Sequence, residues 1–121
     1  MPLPIKTSFE NRNDFLEQLK HNPGLILIKF GADWCGPCKR IESTVNNWFD
    51  NMSDNVQCYI IDVDDNFDVY AYLKNKKMVT TIPSILCYFN GNISYIPDLL
   101  ISSSDINQIN AFFQKCMLKQ K

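Results

Sequence analysis

Charge of one sign is missing from this chain. Its 121 residues carry 12 basic and 13 acidic side chains, a formal net charge of -1. Such a balance offers no electrostatic footprint for nucleic acid or for an anionic membrane surface. Long apolar stretches are missing too. Runs such as Leu25-Ile26-Leu27-Ile28 fall far short of the ~20 residues that a spanning helix needs. The start of the chain, Met1-Pro2-Leu3-Pro4-Ile5-Lys6, has no apolar core after a basic segment, so a secretory leader is not expected. Internal repeats, low-complexity tracts and linkers are not evident. Histidine occurs once, as His21, and cysteine five times, an odd number. A secreted disulfide framework usually has an even and denser set, which favours a reducing, cytoplasmic compartment. What remains is an ordinary globular composition, 45% hydrophobic and 21% charged, in a length that fits one domain at roughly 100–200 residues each.

The elements alternate in type. Ile5 to Phe9 reads as a short strand. Asn11 with Asp14 three residues on resembles a capping box, and Phe15, Leu16 and Leu19 recur at helical spacing. His21-Asn22-Pro23-Gly24 stops that helix. Leu25 to Phe30 is apolar except for Lys29 and reads as a central strand buried on both faces. A helix is expected from about Cys35, turning Ile41, Val45, Trp48 and Phe49 inward. Val56 to Val63 is a second buried strand, followed by helical spacing from Phe67 to Leu73. A third strand runs from Ile85 to Phe89. Asn90-Gly91-Asn92 signals a hairpin turn leading to a strand at Ile93 to Ile96. Ser104 can cap a last helix carrying Ile106, Ile109, Phe112, Phe113 and Cys116. The order βαβαβαββα predicts an α/β domain, a mixed sheet with helices on both faces.

Chemistry concentrates in Trp34-Cys35-Gly36-Pro37-Cys38. Two cysteines separated by two residues follow a predicted strand and open a predicted helix. The first turn of a helix has unpaired N–H groups and the positive end of the dipole. A Cys35 thiolate would be stabilised there and made nucleophilic at neutral pH. Pro37 needs no N–H at this point and has its φ preset. Cys38, one turn further in, is placed to attack a mixed disulfide at Cys35. A metal half-site is the competing reading. It would need a second cysteine pair or histidines, and His21 is the one histidine in the chain.

At these residues the chain resembles the thioredoxin family. Lys29-Phe30-Gly31-Ala32-Asp33-Trp34-Cys35-Gly36-Pro37-Cys38-Lys39 is similar to its active-site segment, Thr81-Ile82-Pro83-Ser84 to its cis-proline loop, and Phe89-Asn90-Gly91 to its late hairpin. The resemblance implies a four- to five-stranded sheet flanked by helices and reduction of protein disulfides. Cys35 would be the nucleophile and Cys38 the resolving thiol. Pro83, after a cis Ile82–Pro83 bond, would face the disulfide. Trp34, Gly36, Pro37 and Ile82 would line the groove for an extended client peptide. Expected partners are disulfide-containing clients and an external reductase such as a thioredoxin reductase. No bound cofactor, metal, nucleic acid or membrane is implied, and the chain is expected to act as a monomer. The competing functions are an oxidase- or isomerase-type relative, and a binding module serving a dedicated partner.

Several residues depart from the family pattern. Lys29 stands where a buried acid is usual beneath the second cysteine. It could lower the Cys38 pKa by attraction, act as a base if burial makes it neutral, pair with Asp62 on the neighbouring strand, or snorkel to the sheet edge. Ser43 replaces a kinking proline, so a straighter helix is expected. The segment between Asp65 and Pro83 is longer than usual and includes Lys74-Asn75-Lys76-Lys77. Asp98-Leu99-Leu100 is expected where a groove glycine is usual. Cys58, Cys87, Cys116 and Trp48 read as core residues. Asp64 and Asp65 read as turn and cap residues. His21 is expected at a helix C-terminus, near the dipole's negative end.

Overall fold

The computed structural model describes residues 2–119. Four helices and four strands follow in the order α1 (Arg12–Lys20), β1 (Leu25–Gly31), α2 (Gly36–Asp50), β2 (Val56–Asp62), α3 (Phe67–Asn75), β3 (Ser84–Phe89), β4 (Leu99–Ile101) and α4 (Ile106–Lys119). The sheet order is β2-β1-β3-β4. β2 runs parallel to β1, whereas β3 and β4 are antiparallel to their neighbours. This is the expected α/β architecture with a mixed sheet.

All seven residues of β1 are buried. Its alternate side chains feed two cores, as the two-residue period of a strand requires. Ile26, Ile28 and Phe30 pack with Phe15 and Leu19 of α1 and with Val69 and Leu73 of α3. Leu25 and Leu27 pack on the other face with Ile41, Val45 and Phe49 of α2 and with Ile109, Phe113 and Cys116 of α4. Lys29 has the parity of the α2 face, so a charged side chain enters an otherwise apolar layer. Trp48 stacks on Phe113 with ring centroids 5.2 Å apart, and Cys58, Cys87 and Cys116 are all buried.

Four local expectations are corrected. Residues 5–9 form no strand; Lys6 alone bridges to Tyr59 of β2. Phe9 leaves that edge because its N–H donates to the Asn66 side chain at 3.0 Å. Ile93–Ile96 is not the hairpin's second strand. Its turn is prolonged by Asn92, which accepts from Ser94 N and donates to the Ile96 carbonyl, so pairing begins only at Leu99. Asp105, not Ser104, caps α4, its carboxylate accepting from the N–H groups of Asn107 and Gln108. Finally, Asp98 lies at the hairpin end of β4 and accepts from Phe89 N at 2.7 Å.

Two capping expectations hold. Asn11 caps α1 by accepting from Asp14 N at 2.9 Å. His21 is its C-cap. With Ser43 inside it, α2 runs unbroken for 15 residues. No helix among the described residues is long and apolar enough to cross a membrane.

Candidate active site

β1 ends at Gly31, and a tight turn in which Cys35 N donates to Ala32 O leads into α2. Cys35 is the N-cap residue, with extended φ and ψ of -88° and 107°. Its sulfur accepts from Cys38 N at 3.2 Å, doing for a sulfur what an N-cap oxygen does. Gly36 and Pro37 begin the helix, where the missing proline N–H costs nothing. One turn brings the second cysteine back beneath the first. Cys35 and Cys38 are joined as a disulfide, with Cα atoms 5.3 Å apart. Both are about 95% buried, while Gly36 and Pro37 between them are exposed.

The loop before β3 closes over the pair. The Ile82–Pro83 peptide is cis, and the Ile82 carbonyl oxygen lies 3.9 Å from the Cys35 sulfur. Two residues invisible to sequence reasoning hold this loop. The buried Ser84 hydroxyl donates to Thr81 O at 2.6 Å, and the exposed Ser102 hydroxyl meets it at 2.7 Å. Ser84 has one proton and spends it on Thr81, so Ser102 is the donor. The side chain at the loop is therefore Ser102, beyond β4, rather than the expected Asp98-Leu99-Leu100. A serine opening β3 and another just after β4 carry no signal that would have singled out this pair.

Trp34 flanks the disulfide with 69% of its surface exposed. Its indole N–H donates to the Asp64 carboxylate at 2.8 Å, so Asp64 is more than a turn residue. Asp62 makes the turn after β2: its carboxylate accepts from Asp64 N, and its carbonyl accepts from Asp65 N and Asn66 N.

Behind Cys38 lies a cavity of about 380 Å³ lined by Lys29, Asp62 and Glu42 among others. Lys29 is 94% buried. Burial pushes its pKa down, and the nearby Glu42 carboxylate pushes the other way. Among the described residues no carboxylate, Asp62 included, lies within 4.0 Å of its ammonium. Lys29 therefore neither snorkels nor pairs with Asp62. The basic segment at the end of α3 packs on tyrosines, with Lys76 near the rings of Tyr72 and Tyr95. No group of three or more potential metal ligands exists among the described residues.

A cysteine pair at a helix N-terminus beneath a cis-proline loop is accompanied by a match to the Thioredoxin family over residues 6–115. The chain belongs to the thioredoxin family. It is 31% identical over 97 residues to Thioredoxin 3 of Plasmodium falciparum, an overlap covering 79% of this chain and 51% of that protein. It thus spans about half the length of that relative. It is 26% identical to the mitochondrial thioredoxin of Mus musculus, over 95% of this chain and 72% of the other. The solved thioredoxin of Trichomonas vaginalis shares the fold with a TM-score of 0.71 at 24% identity, covering 91% of this chain and 96% of that one. A solved Plasmodium falciparum thioredoxin gives 0.66 at 26% identity, over 95% and 91%.

Proposed function

We propose that residues 1–121 form one thioredoxin-like domain that reduces protein disulfides through its Trp-Cys-Gly-Pro-Cys segment. The observation that carries this reading is the Cys35–Cys38 pair, bonded across the first turn of α2 with the Ile82 carbonyl against its outer sulfur.

In the reduced protein, Cys35 is the attacking thiolate. The helix N-terminus and the Cys38 N–H stabilise its charge. It attacks one sulfur of a client disulfide, forms a mixed disulfide, and releases the other client sulfur as a thiolate. Cys38, as thiolate, then attacks the Cys35 sulfur, which frees the second client sulfur and leaves Cys35–Cys38 oxidised. Two electrons pass from the dithiol to the client. An external dithiol reductase, of thioredoxin-reductase type, returns them. Trp34, Gly36, Pro37 and Ile82 form the surface on which the client chain lies, over the buried Pro83. Lys29 is the residue we assign to tuning Cys38, while Asp62 lines the same cavity without pairing with Lys29.

The test is insulin reduction, followed as precipitation of the freed chains in the presence of a dithiol. The unaltered protein is expected to accelerate it. Cys35→Ser is expected to abolish the acceleration, and Cys38→Ser to leave the protein trapped on its client. No acceleration by the unaltered protein would refute the assignment.

A further inference from the structure

Opening the Cys35–Cys38 disulfide places a negative charge on the buried Cys38 sulfur. A thiolate from an incoming dithiol attacks the Cys35 sulfur, the Cys35–Cys38 bond breaks, and the electron pair leaves on the Cys38 sulfur. That sulfur forms part of the cavity wall behind α2, and its residue is only 4% exposed. A buried charge must be compensated.

The formal charges lining that cavity are mostly of the wrong sign. Asp33 comes from the turn after β1, Glu42 from α2, and Asp62 and Asp65 from the end of β2 and its turn. All four are carboxylates, and each opposes a thiolate. The cations are Lys39, which is exposed, and Lys29, which is buried. Lys29 also comes close to the sulfur across Gly31. A point one Cβ length off Gly31 lies 3.4 Å from the Cys38 sulfur and 3.8 Å from Lys29 Cε. The glycine leaves that space open, and the lysine Cε and the sulfur both border it. The ammonium has no carboxylate within 4.0 Å among the described residues, so no contact ion pair ties it down, while Glu42 is near enough to favour its charged form.

We propose that the Lys29 ammonium is the counter-charge of the Cys38 thiolate, which it stabilises both as leaving group when the disulfide is reduced and as nucleophile when a mixed disulfide is resolved. This rests on the dithiol cycle proposed above and names the group that tunes its inner sulfur. Its sign is distinctive: a cation lowers the Cys38 pKa, whereas a carboxylate at that place would raise it.

The experiment titrates Cys38 in a Cys35→Ser background by the ultraviolet absorbance of its thiolate. Cys58 does not interfere in the working range, because burial pushes its thiol up to about 12. Adding Lys29→Met is expected to raise the Cys38 midpoint by about one pH unit, a roughly tenfold loss of thiolate stabilisation. In the unaltered background the same substitution should slow opening of the disulfide by dithiothreitol several-fold. Lys29→Arg, which keeps the charge, should hold the midpoint near that of the parent. Lys29→Gln replaces Lys29→Met should the latter fail to fold. A midpoint that does not move, that falls, or that rises equally with arginine overturns the inference. Insulin reduction by the unaltered protein reads the cycle separately. Its absence overturns the reductase reading, whereas an unmoved midpoint with insulin reduction intact overturns only the role of Lys29.

Discussion

The Trp34 indole is tied at 2.8 Å to the Asp64 carboxylate, although the ring has 69% of its surface in solvent. The ring is mostly exposed, and its charge-assisted hydrogen bond to Asp64 orients it beside Cys35. Such a bond at an exposed site contributes little to folding and much to geometry. Asp64→Ala should lower stability by less than about 1 kcal/mol while changing Trp34 fluorescence and raising KM for insulin. Steady-state kinetics and denaturant unfolding on the same sample check this. An unchanged KM would mean that the ring's orientation is irrelevant to clients.

The hydroxyl relay from Ser102 through Ser84 to Thr81 gives a graded prediction. Ser84 is fully buried, so Ser84→Ala removes a donor from the buried side of the loop and should cost roughly 1–3 kcal/mol. Ser102→Ala, at an exposed position, should cost less. Both should raise KM for a protein client and leave exchange with a small disulfide nearly unchanged, because only the protein client lies across the cis-proline loop. Equal losses on both substrates would place the effect in the cysteines instead.

Alkaline pH should weaken the fold through its buried thiols and phenols. Burial raises Cys58 from 9.0 to about 12 and Tyr59 from 10.0 to about 12. Contact with Cys116, together with burial, raises Cys87 as well. A folded-state pKa above the unfolded value means that the unfolded chain loses its proton first. The stability due to Cys58 is therefore complete below pH 9 and is lost as pH rises toward 12, by up to about 1.4 kcal/mol per pH unit. Urea midpoints should fall steeply above pH 9. Cys58→Val should make the decline shallower, and an unaltered slope would contradict the assignment to Cys58.

Gly24 sits where the chain turns into β1. A Cβ there would come within 2.7 Å of the Asn55 carbonyl oxygen, a backbone atom that cannot swing aside. Leu25 N donates to that same oxygen at 3.1 Å. Gly24→Ala should therefore cost about 1–3 kcal/mol, measured by denaturant unfolding, without touching the cysteine chemistry. A neutral result would show that the turn before β2 yields easily.

Much of this site is legible in the sequence because its devices are local. Cys35 caps α2 and Pro37 starts it, both within one turn, and Ile82-Pro83 marks its own bend. The central strand announces itself through Leu25–Phe30, with Lys29 as the exception. The features that escape reading depend on pairing across the chain. Whether Ile5–Phe9 forms a strand is decided by Asn66, which draws Phe9 N away. Whether Ile93–Ile96 pairs is decided by the Asn92 side chain inside the turn. The Trp34–Asp64 bond spans 30 positions and the Ser84–Ser102 bond 18, with no periodicity to betray them. Ser104 loses the α4 cap to Asp105, one residue on. Neighbouring residues that can both cap differ only in the backbone path, which the sequence does not display.

The most direct measurement is the reduction potential of the Cys35–Cys38 pair, taken against a series of glutathione buffers and read by Trp34 fluorescence. A protein-disulfide reductase must hold its electrons more loosely than glutathione does, so the expected potential lies well below the glutathione poise. The pair should stay oxidised until the glutathione buffer is strongly reducing. A potential at or above that poise would make the domain an acceptor of electrons from client thiols, and the assignment as a reductase would be wrong.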